Sequence, residues 1–206
     1  MEAMEARVAA LEALLHAVPS NIPPAEYSAA LTRVRAALAR LPGAALLRVP
    51  KNYYDLTLRS RAQLLCCSPH RLCKTLVFEN PAGDAAAAPS APLCAQRHLA
   101  VVLQYTHRLD VSALQKLLGA PGLALAADGA QRAGFAHNGV SPFGMAARIP
   151  VVWCKGVLAL GGAVWVGGGE PDVKARVFVG ALQRCGEAAA AVLDVSVPRS
   201  EEEWDA

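Results

Sequence analysis

The spacing of apolar residues changes once along this chain, near residue 50, and no other feature constrains the fold as strongly. Before that point Met4, Val8, Leu11, Leu15 and Val18 recur at steps of four and three. Such steps put them on one face of a helix, because an α-helix turns once in about 3.6 residues. Pro19 ends the stripe, and after the turn Ser20-Asn21-Ile22-Pro23-Pro24 the same spacing returns at Tyr27, Leu31, Val34, Leu38 and Leu41 before Pro42-Gly43 closes it. Residues 1–45 thus read as a helical hairpin. Two short stripes facing each other bury little, so the hairpin is expected to pack on the main domain or on another protein.

Beyond Lys51 the pattern is that of an α/β domain. Thr57 to Leu65 reads as a helix, Lys74 to Glu79 alternates as a strand, and Ala100 to Thr106 is a second apolar strand. Between those strands Pro81 to Ala95 is rich in Ala, Pro and Ser, a surface insertion with little to bury. Asp110 caps a helix that runs to Leu118 and stops at Gly119. A turn-rich loop at His137 to Gly144, strands near Ile149 to Trp153 and Ala163 to Val166, and a helix from about Pro171 to Leu182 complete the reading.

A chain of 206 residues has room for one substantial core without disulfides. Its six cysteines show no C-x-x-C pairing, and the opening MEAMEARVAALEALL lacks a cleavage pattern, so free thiols in a reducing, cytoplasmic setting are expected. The longest apolar stretch, Ile149 to Gly169, contains Pro150, Lys155 and six glycines, which suits strands and turns and not a membrane helix. The net charge of +3 conceals an asymmetry, since the segment from Asp194 on carries five acidic residues against Arg199. Lys51, Arg59, Arg61, Arg71 and Lys74 stand against Asp55 alone in residues 51–75, a basic excess compatible with a phosphate-bearing partner and equally with a solvated face.

Several chemistries are excluded by their motifs. The chain has no G-x-x-x-x-G-K-[ST], no H-E-x-x-H, and no G-x-G-x-x-G between a strand and a helix. Ser141 lies in Gly-Val-Ser-Pro, but Pro142 lacks the N–H that a nucleophile elbow uses, so a serine hydrolase is not expected. No cysteine and histidine spacing fits a metal site, and neither metal nor cofactor is expected. Lys74 stands out, because period-2 alternation puts it on the face of Leu76 and Phe78, where a lysine marks either a pocket or a strand end reaching for water.

Lys74-Thr75 on its strand, the apolar strand Val101 to Thr106, the loop Gly134 to Met145 and the turn Trp165 to Lys174 occur in the order seen in one family. Together they resemble the YbaK and prolyl-tRNA-synthetase-associated editing domains over roughly Lys51 to Gln183. The likeness is greatest to the eukaryotic stand-alone branch, through Tyr-Tyr-Asp at Tyr53, Leu-Cys-Lys at Leu72 and His-Asn at His137. The resemblance implies a mixed, largely antiparallel curved sheet flanked by helices at residues 51–193, with the hairpin before it and an acidic tail at 194–206. It implies hydrolysis of mischarged aminoacyl-tRNA bearing a small amino acid, with the tRNA acceptor end as substrate and a synthetase as a possible partner of residues 1–45. The alternative is a non-catalytic tRNA-binding or assembly module.

Carried over residue by residue, Lys74 matches the family's essential lysine, and the loop from Asn138 to Pro142 matches the one lining the aminoacyl pocket. His137, Asn138, Val140, Ser141, Pro142 and Gly144 are then expected at the substrate, with the Gly139 and Val140 N–H groups serving the ester carbonyl. Gly167 to Gly169 read first as a tight turn, with Gly168 as a substrate contact in the other reading. Asn138 departs from the pattern by standing where the first glycine is common, which points to an effect on substrate preference.

Overall fold

The structure, a computed structural model, describes residues 18–88, 90–185 and 190–204. The first expected helical stripe, Met4 to Leu15, lies outside the described residues. In chain order the elements are α1 (Ala29–Leu38), β1 (Ala45–Arg48), α2 (Leu58–Leu64), β2 (Cys73–Glu79), β3 (His98–Gln104) and β4 (His107–Leu109). There follow α3 (Val111–Leu118), β5 (Ala124–Leu125), α4 (Gly129–Arg132), β6 (Val151–Cys154), α5 (Lys155–Ala159), β7 (Ala163–Gly167), β8 (Val173–Phe178), α6 (Val179–Cys185), β9 (Ala191–Leu193) and β10 (Ser196–Pro198). Short 3-10 turns at Tyr53–Asp55 and Pro69–Arg71 flank α2.

The strands form a mixed sheet in the order β5-β2-β3-β6-β9, a three-stranded antiparallel sheet β1-β8-β7 and a ribbon β10-β4. Pairing of β2 with β3 and β5 is antiparallel, whereas β6 runs parallel to β3 and β9 parallel to β6. The Ala100–Leu103 run of β3 is fully buried, as expected of a strand covered on both faces. The two larger sheets meet at a bridge between Leu72 and Trp165. No helix among the described residues is long and apolar enough to cross a membrane.

α1 belongs to the same core as the sheet. Ser28 caps it by accepting from the Leu31 N–H, and Leu31, Val34 and Leu38 are fully buried, each contributing about 1.5–3 kcal/mol by removal from water. Arg33 on its other flank donates to Gly144 O and Gly134 O at 3.0 and 2.7 Å, which ties the helix to the loop after α4. From Val18 onward, residues of the expected hairpin are therefore committed to this core.

One element differs from the expectation. Residues 173–178 form β8 and not the start of a helix, because Val173, Ala175 and Val177 alternate on one buried face and the strand pairs with both β1 and β7. Helix begins only at Val179. Residues 194–204 of the acidic tail lie against the domain: β10 pairs with β4, Val195 is buried, and Trp204 packs edge-on against His70 beneath the Arg59 guanidinium. α3 matches its expectation at both ends, with Asp110 accepting from the Ala113 N–H and Gly119 left-handed at φ 63°.

Candidate active site

β2 leaves part of one edge unpaired. β5 covers that edge at Phe78 and Glu79, Trp165 bridges it at Leu72, and between them a cavity of about 360 Å³ opens along residues 73–77. Its walls come from distant parts of the chain: Tyr53 and Tyr54 from the turn before α2, residues 125–130 from β5 and α4, the loop 137–140, and β7 and β8 through Trp165, Gly167 and Lys174. Backbone at an open sheet edge, apolar walls and a few polar side chains are the usual ingredients of a small-molecule site.

Lys74 lies half-buried on this edge, with Nζ 5.7 Å from the centroid of the Tyr105 ring. Burial lowers its pKa from the ordinary lysine value, and the nearby Arg199 lowers it further. Among the described residues no carboxylate forms an ion pair with it. Beside it the buried Thr75 hydroxyl has no hydrogen-bond partner among the described residues. Other basic residues of segment 51–75 have different tasks. Arg61 donates to Leu56 O and Tyr54 O, Arg71 to Gly161 O and Ala163 O, and Arg59 pairs with Glu201.

The loop after α4 approaches the cavity through His137, Asn138 and Val140, which line it together with Lys74. Asn138 is left-handed at φ 64°, a conformation that asparagine tolerates better than most residues. Gly139 is buried behind this rim, where its N–H donates to Ala136 O at 3.0 Å and its carbonyl accepts from the Gly169 N–H at 3.1 Å. The expected pair of ester-binding donors is thereby corrected: the Gly139 N–H is already engaged, while the Val140 N–H has no acceptor among the described residues. Gly167 permits the close approach of β7 to the loop, since a Cβ there would lie 2.0 Å from Val140 O.

Ser141, Pro142, Gly144 and Gly168, expected at the substrate, do not border the cavity. The Ser141 hydroxyl is buried and accepts from the Phe143 N–H at 3.1 Å. Pro142 is buried with it, and Gly144, at φ 65°, sits so close to α1 that a Cβ would fall 2.5 Å from Arg33 backbone. Gly168 is packed against Val173 in the turn between β7 and β8, the tight turn expected for that glycine run. This half of the loop anchors the other half.

Lys174 was missed as a site residue, although it is buried and its Nζ donates to the Tyr54 hydroxyl at 2.8 Å. Burial, aided by Arg61 and opposed by Asp172, pulls it from 10.5 down to about 7. Read as helix, Lys174 had no assigned inward face; read as strand, it would have stood out as Lys74 did. Tyr54 and Tyr105 were missed as well, and burial raises the pKa of both phenols above the ordinary value. Among the described residues, no three His, Cys, Asp or Glu side chains are gathered as a metal site requires.

Comparison with known proteins supplies an independent line. A family model described as "Aminoacyl-tRNA editing domain" matches residues 56–185, well over half of the chain. Among solved structures, one described as a candidate trans-editing enzyme for prolyl tRNA synthetase superposes with a TM-score of 0.65 at 23% identity, over 84% of this chain and 99% of its own. A scaffold protein used for computational epitope grafting matches at TM-score 0.63 and 21% identity, over 84% of this chain and 100% of its own. A hypothetical protein gives TM-score 0.63 and 25% identity, over 80% and 99%. Among curated protein sequences none matches.

Proposed function

This chain belongs to the aminoacyl-tRNA editing domain family, and from that premise we propose that it hydrolyses the ester of a tRNA mischarged with a small amino acid. The observation that carries the reading is Lys74, a lysine with no carboxylate partner among the described residues, half-buried in a cavity sized for a small aminoacyl group and the ribose that bears it. An aminoacyl ester is already activated, so its hydrolysis needs orientation and charge stabilisation more than a strong nucleophile. Water attacks the acyl carbon, the bond from that carbon to the terminal ribose oxygen breaks, and the proton lost by water passes to the departing ribose oxygen, directly or through the neighbouring hydroxyl. Lys74 stabilises the charge that develops on the carbonyl oxygen or holds the terminal phosphate. The Val140 N–H is an available backbone donor of the loop for the same oxygen. Asn138 and His137 at the rim meet the amino acid or the terminal nucleotide.

Docking of a synthetase through residues 1–45 is proposed as well, with the apolar stripe of residues 18–45 already taken up by the domain core and the exposed face of that segment left for a partner. A panel of Ala-, Ser-, Thr- and Cys-charged tRNAs tests the proposal. The wild type should deacylate at least one of them, and Lys74→Ala should remove that activity while shifting Tm by no more than a few degrees, as for a change costing about 1 kcal/mol. A wild-type protein that binds these tRNAs and hydrolyses none is a non-catalytic module; full activity in Lys74→Ala would refute the role given to the lysine.

A further inference from the structure

Lys174 is 5% exposed, an uncommon condition for a lysine. Its Nζ donates to the Tyr54 hydroxyl at 2.8 Å and to Pro171 O at 3.1 Å, and stands 4.4 and 4.9 Å from the ring centroids of Tyr54 and Tyr53. Tyr54 in turn donates to Asn138 O at 2.8 Å. An ammonium only donates, so Tyr54 accepts from Lys174, and the single phenol proton is directed to the Asn138 carbonyl at 2.8 Å, with the Tyr105 hydroxyl as a further neighbour of the Tyr54 oxygen. The peptide that follows Asn138 is held at its other end too, through Gly139 N–H to Ala136 O. One peptide further, the Gly169 N–H holds the Gly139 carbonyl, and trans geometry directs the Val140 N–H away from that turn. Arg61 secures the near end of this strut by donating to Tyr54 O at 2.7 Å. Tyr54 lies just outside the segment matched by the family model.

We infer that Lys174 is a positioning residue of the deacylation site, acting through Tyr54 on the backbone from Asn138 to Val140, and that its charge tightens this rim. The inference rests on the deacylase reading above. As an ammonium, Lys174 makes a charge-assisted bond to the Tyr54 oxygen, which polarises the phenol and strengthens its bond to Asn138. As a neutral amine it donates weakly. With the lysine held near pH 7 by burial, the strut is firm below that pH and slackens above it. The charged and titratable groups around it are Tyr53 and Tyr54 from the turn before α2, Tyr105 beside Tyr54, Arg61 from α2, Asp172 beside β8, and Lys74 and His137 in the cavity lining. Titrations shared by wild type and variant cancel in a ratio of rates, which isolates the strut.

Two readouts test this. In the substrate-free protein, the backbone amide resonances of Gly139 and Val140 should titrate with a midpoint near pH 7, and the titration should vanish in Tyr54→Phe and in Lys174→Met. On the mischarged tRNA hydrolysed fastest, Tyr54→Phe should lower kcat/KM about tenfold at pH 6, the loss of one hydrogen bond to a charge-assisted group, and only two- to threefold at about pH 8.5. Adding Lys174→Met to Tyr54→Phe should cost nothing further, because the two act as one unit. A loss equal at every pH, with wild-type amides that do not titrate, would make the pair ordinary core packing and overturn the inference. A pH dependence that survives Tyr54→Phe but not Lys174→Met would overturn it differently, by placing Lys174 itself on the substrate. Titrating amides in a protein inactive on every charged tRNA would support the strut and refute the deacylase reading.

Discussion

Replacing Lys174 by methionine removes a buried charge while keeping much of the side chain's volume. The lysine is held near 7 in the folded protein against 10.5 ordinarily, a gap that corresponds to at most about 5 kcal/mol at about 1.4 kcal/mol per pH unit. Its sign follows from proton counting. Between these two values the unfolded chain holds the proton and the folded chain does not, so wild-type stability rises with pH in that window; below it both states are protonated and the slope vanishes. Integrating from pH 7 to pH 9 gives a gain of about 2 kcal/mol for the wild type relative to Lys174→Met. The variant also forfeits the bonds to Tyr54 and Pro171 O, a loss of about 1–2 kcal/mol at pH 7; their weakening as the lysine loses its charge is already contained in the shifted pKa. Lys174→Met should therefore be at least as stable as the wild type at pH 7 and lose ground steadily up to pH 9. Urea unfolding at four pH values measures this directly. In Tm the relative change should be about 4–8 °C for a domain of this size. A stability difference that stays constant within about 1 kcal/mol from pH 7 to pH 9 would show that the lysine is not perturbed in the fold.

Asn138→Gly should keep the fold, since glycine accepts the left-handed conformation at φ 64°, and should change the kcat/KM ratio between Ser- or Thr-charged and Ala-charged tRNA by about tenfold, or about 1.4 kcal/mol. Equal slowing of all substrates would limit Asn138 to shaping the loop. Gly167→Ala puts a methyl 2.0 Å from Val140 O, so β7 or the loop must shift. A destabilisation of about 1–3 kcal/mol and a marked fall in deacylation are expected, and unchanged activity and Tm would contradict the close approach. Activity should survive exhaustive chelation of the protein when the tRNA is folded beforehand, and loss restored by zinc would refute the proposed metal-independent chemistry.

Much of the fold is a local property and was legible in the sequence. α3 was readable to its caps because Asp110 and Gly119 satisfy helix ends with groups adjacent in the chain. β2 and β3 were readable because alternation and apolar runs report burial residue by residue, and the same alternation exposed Lys74. The motif order also pointed to the family that the comparison bears out. The site itself was only partly legible. His137, Asn138 and Val140 reach the cavity with Lys74, whereas Ser141, Pro142, Gly144 and Gly168 are spent on holding the loop against α1 and the β7–β8 turn. Nothing local distinguishes these two groups, which are separated by the direction in which the packed backbone turns. Residues 173–178 became a strand because two neighbours, β1 and β7, supply their backbone hydrogen bonds, and only then did Lys174 point inward. Its hydrogen bond to Tyr54 spans 120 positions of sequence, and that of Tyr54 to Asn138 spans 84. Periodicity records what each residue requires of its immediate neighbours; which distant side chains meet around one open strand edge is decided by packing alone.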